Sequence, residues 1–212
     1  MIVVLLALAA REWMIRRQER SLPSFGVELS RDRERELHDK VTKFTAAIQG
    51  NPSDFNAHVE LALAKTGLGD REGAAEVYRQ MNQRFPGNYL SFQNLGKLYE
   101  DAGKGELAAE QYLLAIKNAP KNPHMYRNLV ELYTYHLTSH TADIPKVLQQ
   151  GLAVIPGSID LMSMLAVYYR DHGDLAEAVR WYEQLLVFDQ QNHTALEELK
   201  ELKAKLRAAP AR

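Results

Sequence analysis

A chain of 212 residues with 26 Lys and Arg against 27 Asp and Glu has a formal net charge of -1, so no global field draws in nucleic acid and no long acidic tract acts as a solvating tail. The absence of cysteine excludes disulfides, thiolate chemistry and Cys-ligated zinc, and it fits either side of a membrane. The length suits one large domain, two small ones or a single repeat array.

The chain begins with a continuous apolar run, Ile2 to Ala10, followed by Arg11, Glu12, Trp13, Met14 and Ile15 and then a basic cluster of Arg16, Arg17 and Arg20. The run is about half of the roughly 20 apolar residues a helix needs to cross a bilayer. Three readings compete. A signal peptide lacks the basic segment that should precede its apolar core, although Ala7-Leu8-Ala9 is cleavage-like. A buried globular helix would normally carry a polar face, which this run lacks. A membrane anchor places Trp13 at the interface, with arginines snorkelling to headgroups, and residues 2–15 are read as that anchor. With arginines only on its C-terminal side, the positive-inside bias puts the rest of the chain in the cytoplasm, an inference that upstream lysines would reverse.

Residues 21–29 form a linker, with turn formers at Pro23 and Gly26. From about Ser30 a helix begins: Leu37, Val41, Phe44, Ala47 and Ile48 recur at helical spacing behind the charged stretch Arg31 to Glu36, and Gly50, Asn51 and Pro52 stop it. The alternating charges of that stretch cancel within one turn and read as a solvated face. Residues 30–54 are a half-unit covering the open end of a repeated stretch.

From residue 55 onward the chain overlays on itself at a shift of about 34 residues. Leu61, Leu95, Leu129 and Leu165 fall in register, each followed by Ala62, Gly96, Val130 or Ala166. Gly69, Gly103 and Gly173 align, as do Ala74, Ala108 and Ala178, and Tyr78, Tyr112 and Tyr182. The repeats are 55–88, 89–122, 123–158 and 159–192, each a pair of antiparallel helices. In the second repeat Phe92, Leu95, Gly96 and Tyr99 form one stripe, Gly103 permits the turn, Glu106 to Asn118 form the second helix, and Pro120 blocks continuation. The third repeat is two residues longer and lacks the turn glycine. Residues 193–212 hold a capping helix from His193 to Leu206, with Leu196, Leu199, Leu202 and Leu206 inward, a polar outer face of Glu197, Glu198, Lys200, Glu201 and Lys203, and a fraying tail from Arg207.

Phe92-x2-Leu95-Gly96-x2-Tyr99, then Ala108-x3-Tyr112, Ala115 and Pro120, resembles the tetratricopeptide repeat in nearly every signature place. The first repeat departs with Lys65 for an aromatic, and the fourth with Gln190 for proline. With the N-terminal segment, the resemblance is to a bacterial, membrane-anchored member of that family. It covers about residues 55–192 and implies an all-α fold, an α-solenoid of tandem helix-turn-helix repeats wound as a right-handed superhelix. Such stacks have a concave face lined mainly by the first helix of each repeat. The positions left over from the core stripe are Asn56, Val59, Glu60 and Leu63; Gln93, Asn94, Lys97 and Glu100; Arg127, Asn128, Glu131 and Tyr135; and Ser163, Met164, Val167 and Arg170. Their amides, charges of both signs and apolar patches suit an extended peptide or a partner helix. Solvated helix surface is the bland alternative for each.

Co-chaperone members of the family clamp a C-terminal carboxylate with Lys and Asn on one repeat, Asn on the next and Lys or Arg on the third. Here Val59 and Leu63 stand at the first pair of places. Reading one repeat later, Gln93 and Lys97 do; Asn128 matches, but Asp160 and Met164 spoil the third. That clamp is absent as the family builds it. No phosphate loop, His-Glu-x-x-His helix or nucleophile elbow occurs, so neither catalysis nor a cofactor is expected. His136-x3-His140 with Asp143 is the one cluster of ligand character, but Leu137-Thr138-Ser139 suggests a loop, and an adapted turn with Asp143 capping the next helix is preferred to a metal site. The sequence thus points to protein–protein interaction, either as a membrane-tethered adaptor offering a groove or as an assembly subunit using its convex face or ends. No nucleic-acid partner is expected.

Overall fold

In the computed structural model, Leu22 and residues 28–208 are described. The apolar run, the basic cluster, nearly all of the linker and the last residues of the tail lie outside the described residues. Those described are helical throughout, with no strand among them: α1 (Arg31–Gly50), α2 (Phe55–Gly67), α3 (Arg71–Arg84), α4 (Tyr89–Asp101), α5 (Gly105–Asn118), α6 (Pro123–Tyr135), a 3-10 turn (Thr138–Asp143), α7 (Ile144–Val154), α8 (Ile159–Asp171), α9 (Leu175–Phe188) and α10 (His193–Ala208). The fold is all-α, a solenoid of tandem helix-turn-helix repeats. Among the described residues no helix is long and apolar enough to cross a membrane.

The helix starts are chemically explicit. Ser30, Asp54, Asp70, Asn88, Asn122, Ser158 and Asp174 each stand at an N-cap, and the side-chain oxygen accepts a backbone N–H of the first turn. Loss of one such cap typically costs about 0.5–2 kcal/mol. Within three of the repeats the turn between helices rests on a glycine at positive φ: Gly69 at 77°, Gly103 at 69° and Gly173 at 80°. That left-handed backbone is open to glycine and costly for any residue with a Cβ.

The chain divides into two compact units, residues up to Gln111 and residues from Tyr112, with the boundary inside α5. In the first unit α1 packs on α2, α2 on α3 and α3 on α4. Leu37 is the buried residue of α1, its side chain lying against Gly67, while Val41, Phe44, Ala47 and Ile48 are less completely covered. The charged start of α1 satisfies itself through Arg33–Glu36 at 2.7 Å and Lys40–Glu36 at 3.1 Å. Ala62, Ala74, Tyr78 and Met81 fill the α2/α3 hairpin, and burial pushes the Tyr78 hydroxyl up to about 12. Lys65, standing where the repeat carries an aromatic, bridges to the Asp70 carboxylate at 2.7 Å and so joins the end of α2 to the cap of α3. Leu22 is buried here as well, and its amide donates to Glu72 Oε2 at 2.6 Å, so the linker is pinned at that point.

In the second unit α6 packs on α7, α7 on α8, α8 on α9 and α9 on α10, and the 3-10 turn touches both α6 and α7. That turn takes the place of the third repeat's missing glycine. Counting the extra length, Ile144, Leu148 and Gly151 stand where the second repeat has Ala108, Tyr112 and Ala115, and all three are buried. Asp143 holds the N-cap position of α7 without a side-chain capping bond, a correction to the expectation: its carboxylate lies 3.0 Å from His140 Nδ1 instead. The C-terminal helix also differs from its expected role. Ala195 and Leu202 are buried, but Leu196 is 45% and Leu206 39% exposed, and the helix continues through Arg207 to Ala208. Its charged residues bind inward, Glu198 to Arg170 at 2.7 Å and Lys203 to Glu183 at 2.6 Å.

This packing has two measurable consequences. Gly173→Ala meets no atom within 4 Å, so its expected loss of about 1–2 kcal/mol is purely conformational, and urea denaturation with an unchanged far-ultraviolet spectrum measures it. For Asp70, burial opposes ionisation, but the hydrogen bonds from Lys65 and the Gly73 amide outweigh it and hold the carboxyl below its ordinary 3.8. A depressed carboxyl stabilises the fold above the unfolded value and ceases to as pH falls through the folded one. Asp70→Asn keeps a capping oxygen but loses the ion pair. The native chain should therefore exceed this variant in stability at neutral pH, and the margin should close only below 3.8, as read by urea titrations across acid pH.

Candidate functional site

The residues read as partner-facing fall on the exposed or half-buried sides of α2, α4, α6 and α8. In the first unit Asn56 is exposed, Leu63 is 50% exposed, and Val59, Glu60, Gln93 and Asn94 are half-buried. Lys97 lies 3.3 Å from Glu100 and 3.2 Å from Asp101. Burial disfavours its charge, yet those two carboxylates raise its ammonium above the ordinary value. Lys97 is thus committed within its own helix.

In the second unit the same positions converge. Glu131 and Tyr135 of α6 and Ser163, Met164 and Val167 of α8 line one pocket of ≈ 280 Å³. Val130, Thr134, Thr141, Ile144, Tyr168, Asp171 and His172 complete the wall. Tyr135 is 72% exposed, a large ring left at the mouth, while Ile144 and Val130 form buried floor. The far wall is stiffened by an aromatic pair: the His172 imidazole stacks on Tyr168 at 4.1 Å, and its Nδ1–H donates to the Tyr168 carbonyl at 2.7 Å. The 3-10 turn is fixed by Thr141, whose hydroxyl contacts the carbonyls of Tyr133 at 3.0 Å and Thr138 at 2.8 Å.

Arg127, Asn128 and Arg170 are not part of this lining. Arg127 pairs with Asp160 at 3.1 Å, joining the first helices of the third and fourth repeats. Arg170 is held by Asp171 at 2.8 Å and Glu198 at 2.7 Å. The Asp171 hydrogen bond leads in raising its guanidinium above the ordinary value, against burial, and Glu198 adds to it. Sequence reasoning missed Val130, which the register assigns to the core, together with Thr134, Thr141, Ile144, Tyr168, Asp171 and His172. Thr141 and Ile144 belong to the lengthened turn, which has no counterpart in the repeat pattern. Tyr168, Asp171 and His172 sit at the end of α8, outside the positions that pattern assigns to a groove.

The histidine cluster is not a ligand set of one helix. His136 is the C-cap residue of α6, whereas His140 lies in the 3-10 turn, stacked 5.1 Å from the Tyr133 ring and paired with Asp143. Among the described residues no group of three His, Asp or Glu side chains is placed to hold a metal ion.

Since Arg127 and Asp160 are partly exposed, their ion pair should contribute little. A double-mutant cycle of Arg127→Ala and Asp160→Ala, read by urea denaturation, is expected to give a coupling of about 0.2–1 kcal/mol.

Comparison with known proteins agrees with this architecture. Residues 59–123 match the sequence model of the tetratricopeptide repeat. No curated protein matches the sequence. Among solved structures, a crystal structure of MamA overlays with a TM-score of 0.55 at 17% identity, covering 84% of this chain and 99% of that one. YrrB, described as a TPR protein with an unusual peptide-binding site, overlays with a TM-score of 0.54 at 15% identity, over 79% of this chain and 85% of its own. TTC0263, a thermophilic TPR protein of Thermus thermophilus, gives a TM-score of 0.50 at 22% identity, over 77% and 89%. At these identities the likeness is one of fold.

Proposed function

We propose that this protein is a protein-interaction scaffold that captures a peptide or a partner segment on the α6/α8 face of its second unit. The observation that carries this reading is the convergence of Glu131, Tyr135, Ser163, Met164 and Val167 on one pocket, because repeat register alone picks out the same positions. Repeat stacks bind along the first helices of their repeats. The peptide-binding site described for YrrB, a protein of the same fold, is consistent with that use. No catalytic role is assigned to any residue.

The scaffold is further read as membrane-tethered through residues 2–15, with the repeats on the cytoplasmic side. The apolar run followed by Trp13 and the arginine cluster supports this. Tethering would concentrate the binding face at a surface, and the Leu22–Glu72 contact would hold the repeats close to it.

A second reading, an assembly subunit that uses its end, is favoured by a different observation. Val187 is 72% and Phe188 54% exposed at the end of α9, and α10 adds the exposed Leu196 and Leu206. One experiment separates the two. Partner recovery by crosslinking from the native source should fall more than about tenfold with Tyr135→Ala plus Met164→Ala, and stay intact with Val187→Asp plus Phe188→Asp. The opposite pattern would favour the assembly reading. Fractionation of the same samples tests the tether, which recovery in the soluble fraction without salt or detergent would defeat.

A further inference from the structure

The pocket in the second unit lies where the third repeat departs from the pattern of the others. Where the second repeat has Gly96 against Ala108, the third has Val130 and Ile144. Both are branched, both are buried, and both line the cavity. The 3-10 turn stands between α6 and α7 and touches both, so the two helices meet over less of their length than α2/α3 or α8/α9. The same turn adds Thr141 to the side of the cavity.

Size and charge then limit what fits. At ≈ 280 Å³ the cavity falls just short of the roughly 300–1,000 Å³ of sites for drug-sized ligands and cofactors, and is suited to one large side chain. Its floor of Val130, Ile144, Met164 and Val167 is apolar, and a thioether adapts readily to an aromatic or branched guest. The formal charges on its wall are both carboxylates, Glu131 and Asp171. Asp171 is bound by Arg170, but Glu131 is exposed and has no salt bridge among the described residues. The arginines of α6 and α8 offer nothing to an incoming anion, since Arg127 is taken by Asp160 and Arg170 by Asp171 and Glu198. Lys146 of α7 is exposed but is not part of the wall.

We propose that this pocket takes a bulky apolar side chain of a peptide segment that carries Lys or Arg two residues from it, the cation resting on Glu131. In an extended segment successive side chains point to opposite faces, so the residue two positions along, roughly 6.6 Å away, is the one that shares the face of the entering side chain and can reach the rim. This is the reverse of a carboxylate clamp: the anion is on the scaffold and the cation on the guest. The inference rests on the scaffold reading and deepens it.

Fluorescence anisotropy on the whole chain tests it with three labelled peptides of one length, centred on lysine-serine-phenylalanine-serine-lysine, glutamate-serine-phenylalanine-serine-glutamate and lysine-serine-alanine-serine-lysine. The first should bind at least about tenfold tighter than the alanine peptide, since a buried aromatic is the main anchor. It should bind about 2–10-fold tighter than the glutamate peptide, the range set by one partly exposed ion pair against like-charge contact. Glu131→Gln should narrow that second difference while leaving thermal unfolding unchanged, and Val167→Arg should abolish binding of the first peptide. Absent binding of the first peptide, equal or tighter binding of the glutamate peptide, or indifference to Val167→Arg would each overturn the proposal. The two readings fail separately. If the crosslinked partner depends on Tyr135 and Met164 but the lysine-serine-phenylalanine-serine-lysine peptide does not displace it, the pocket chemistry is wrong and the scaffold stands. If partner recovery ignores Tyr135 and Met164, the binding-face reading fails whatever the peptides do.

Discussion

Close approach of paired helices at small residues is the constraint on which the rest of this structure depends. Ala62 and Ala74 in the first repeat, and Ala166 and Ala178 in the fourth, are fully buried, with no side chain beyond a methyl to hold the backbones apart. A helix hairpin of this size cannot bury enough apolar surface alone, so each must present its remaining apolar face to the next. Large residues such as Tyr78, Tyr99 and Tyr182 are buried beside these small ones and supply the bulk of the core. The capped starts and the glycine turns serve the same end, because they fix where each helix begins and how sharply the chain returns.

The third repeat shows what happens when that constraint is relaxed. Val130 and Ile144 occupy the crossing, and Gly151 is placed where the second repeat has an alanine. A Cβ at Gly151 would come 2.7 Å from Leu161 Cδ1 and 3.0 Å from Tyr126. Since Tyr126 belongs to α6 and Leu161 to α8, Gly151 is a close-contact position of α7 against both. The cavity lies between α6 and α8, and α7 reaches it through Ile144.

Charge follows a similar division of labour. Lys97, Arg127 and Arg170 sit on the faces read as partner-facing, yet each is held by carboxylates of its own helix or of a later one. These contacts are modest in energy, but they fix long side chains and leave the surface field near the pocket to Glu131. The linker is treated in the same way: Glu72 takes the Leu22 amide with one oxygen and Arg79 with the other, tying a residue upstream of the repeats to the α3 framework.

Much of this is legible in the sequence because it is local. The period of about 34 residues, the turn glycines, the prolines and the alanines at the crossings specify helix pairs one at a time, and α1 ends at Gly50 and α4 begins at Tyr89 as the pattern requires. Repeat register alone also places Glu131, Tyr135, Ser163 and Val167 on one wall. What register cannot supply is anything that depends on a second element. Asp143 pairs with His140 rather than capping α7, Arg170 is claimed by a helix two elements later, and the stripe of α10 buries Leu202 but not Leu196 or Leu206. The sequence determined the helices and the faces on which their residues lie, since backbone periodicity is a property of neighbours along the chain. Only tertiary structure decided which of those faces close and where a cavity remains, because volume and charge are balanced between side chains that the chain order keeps far apart.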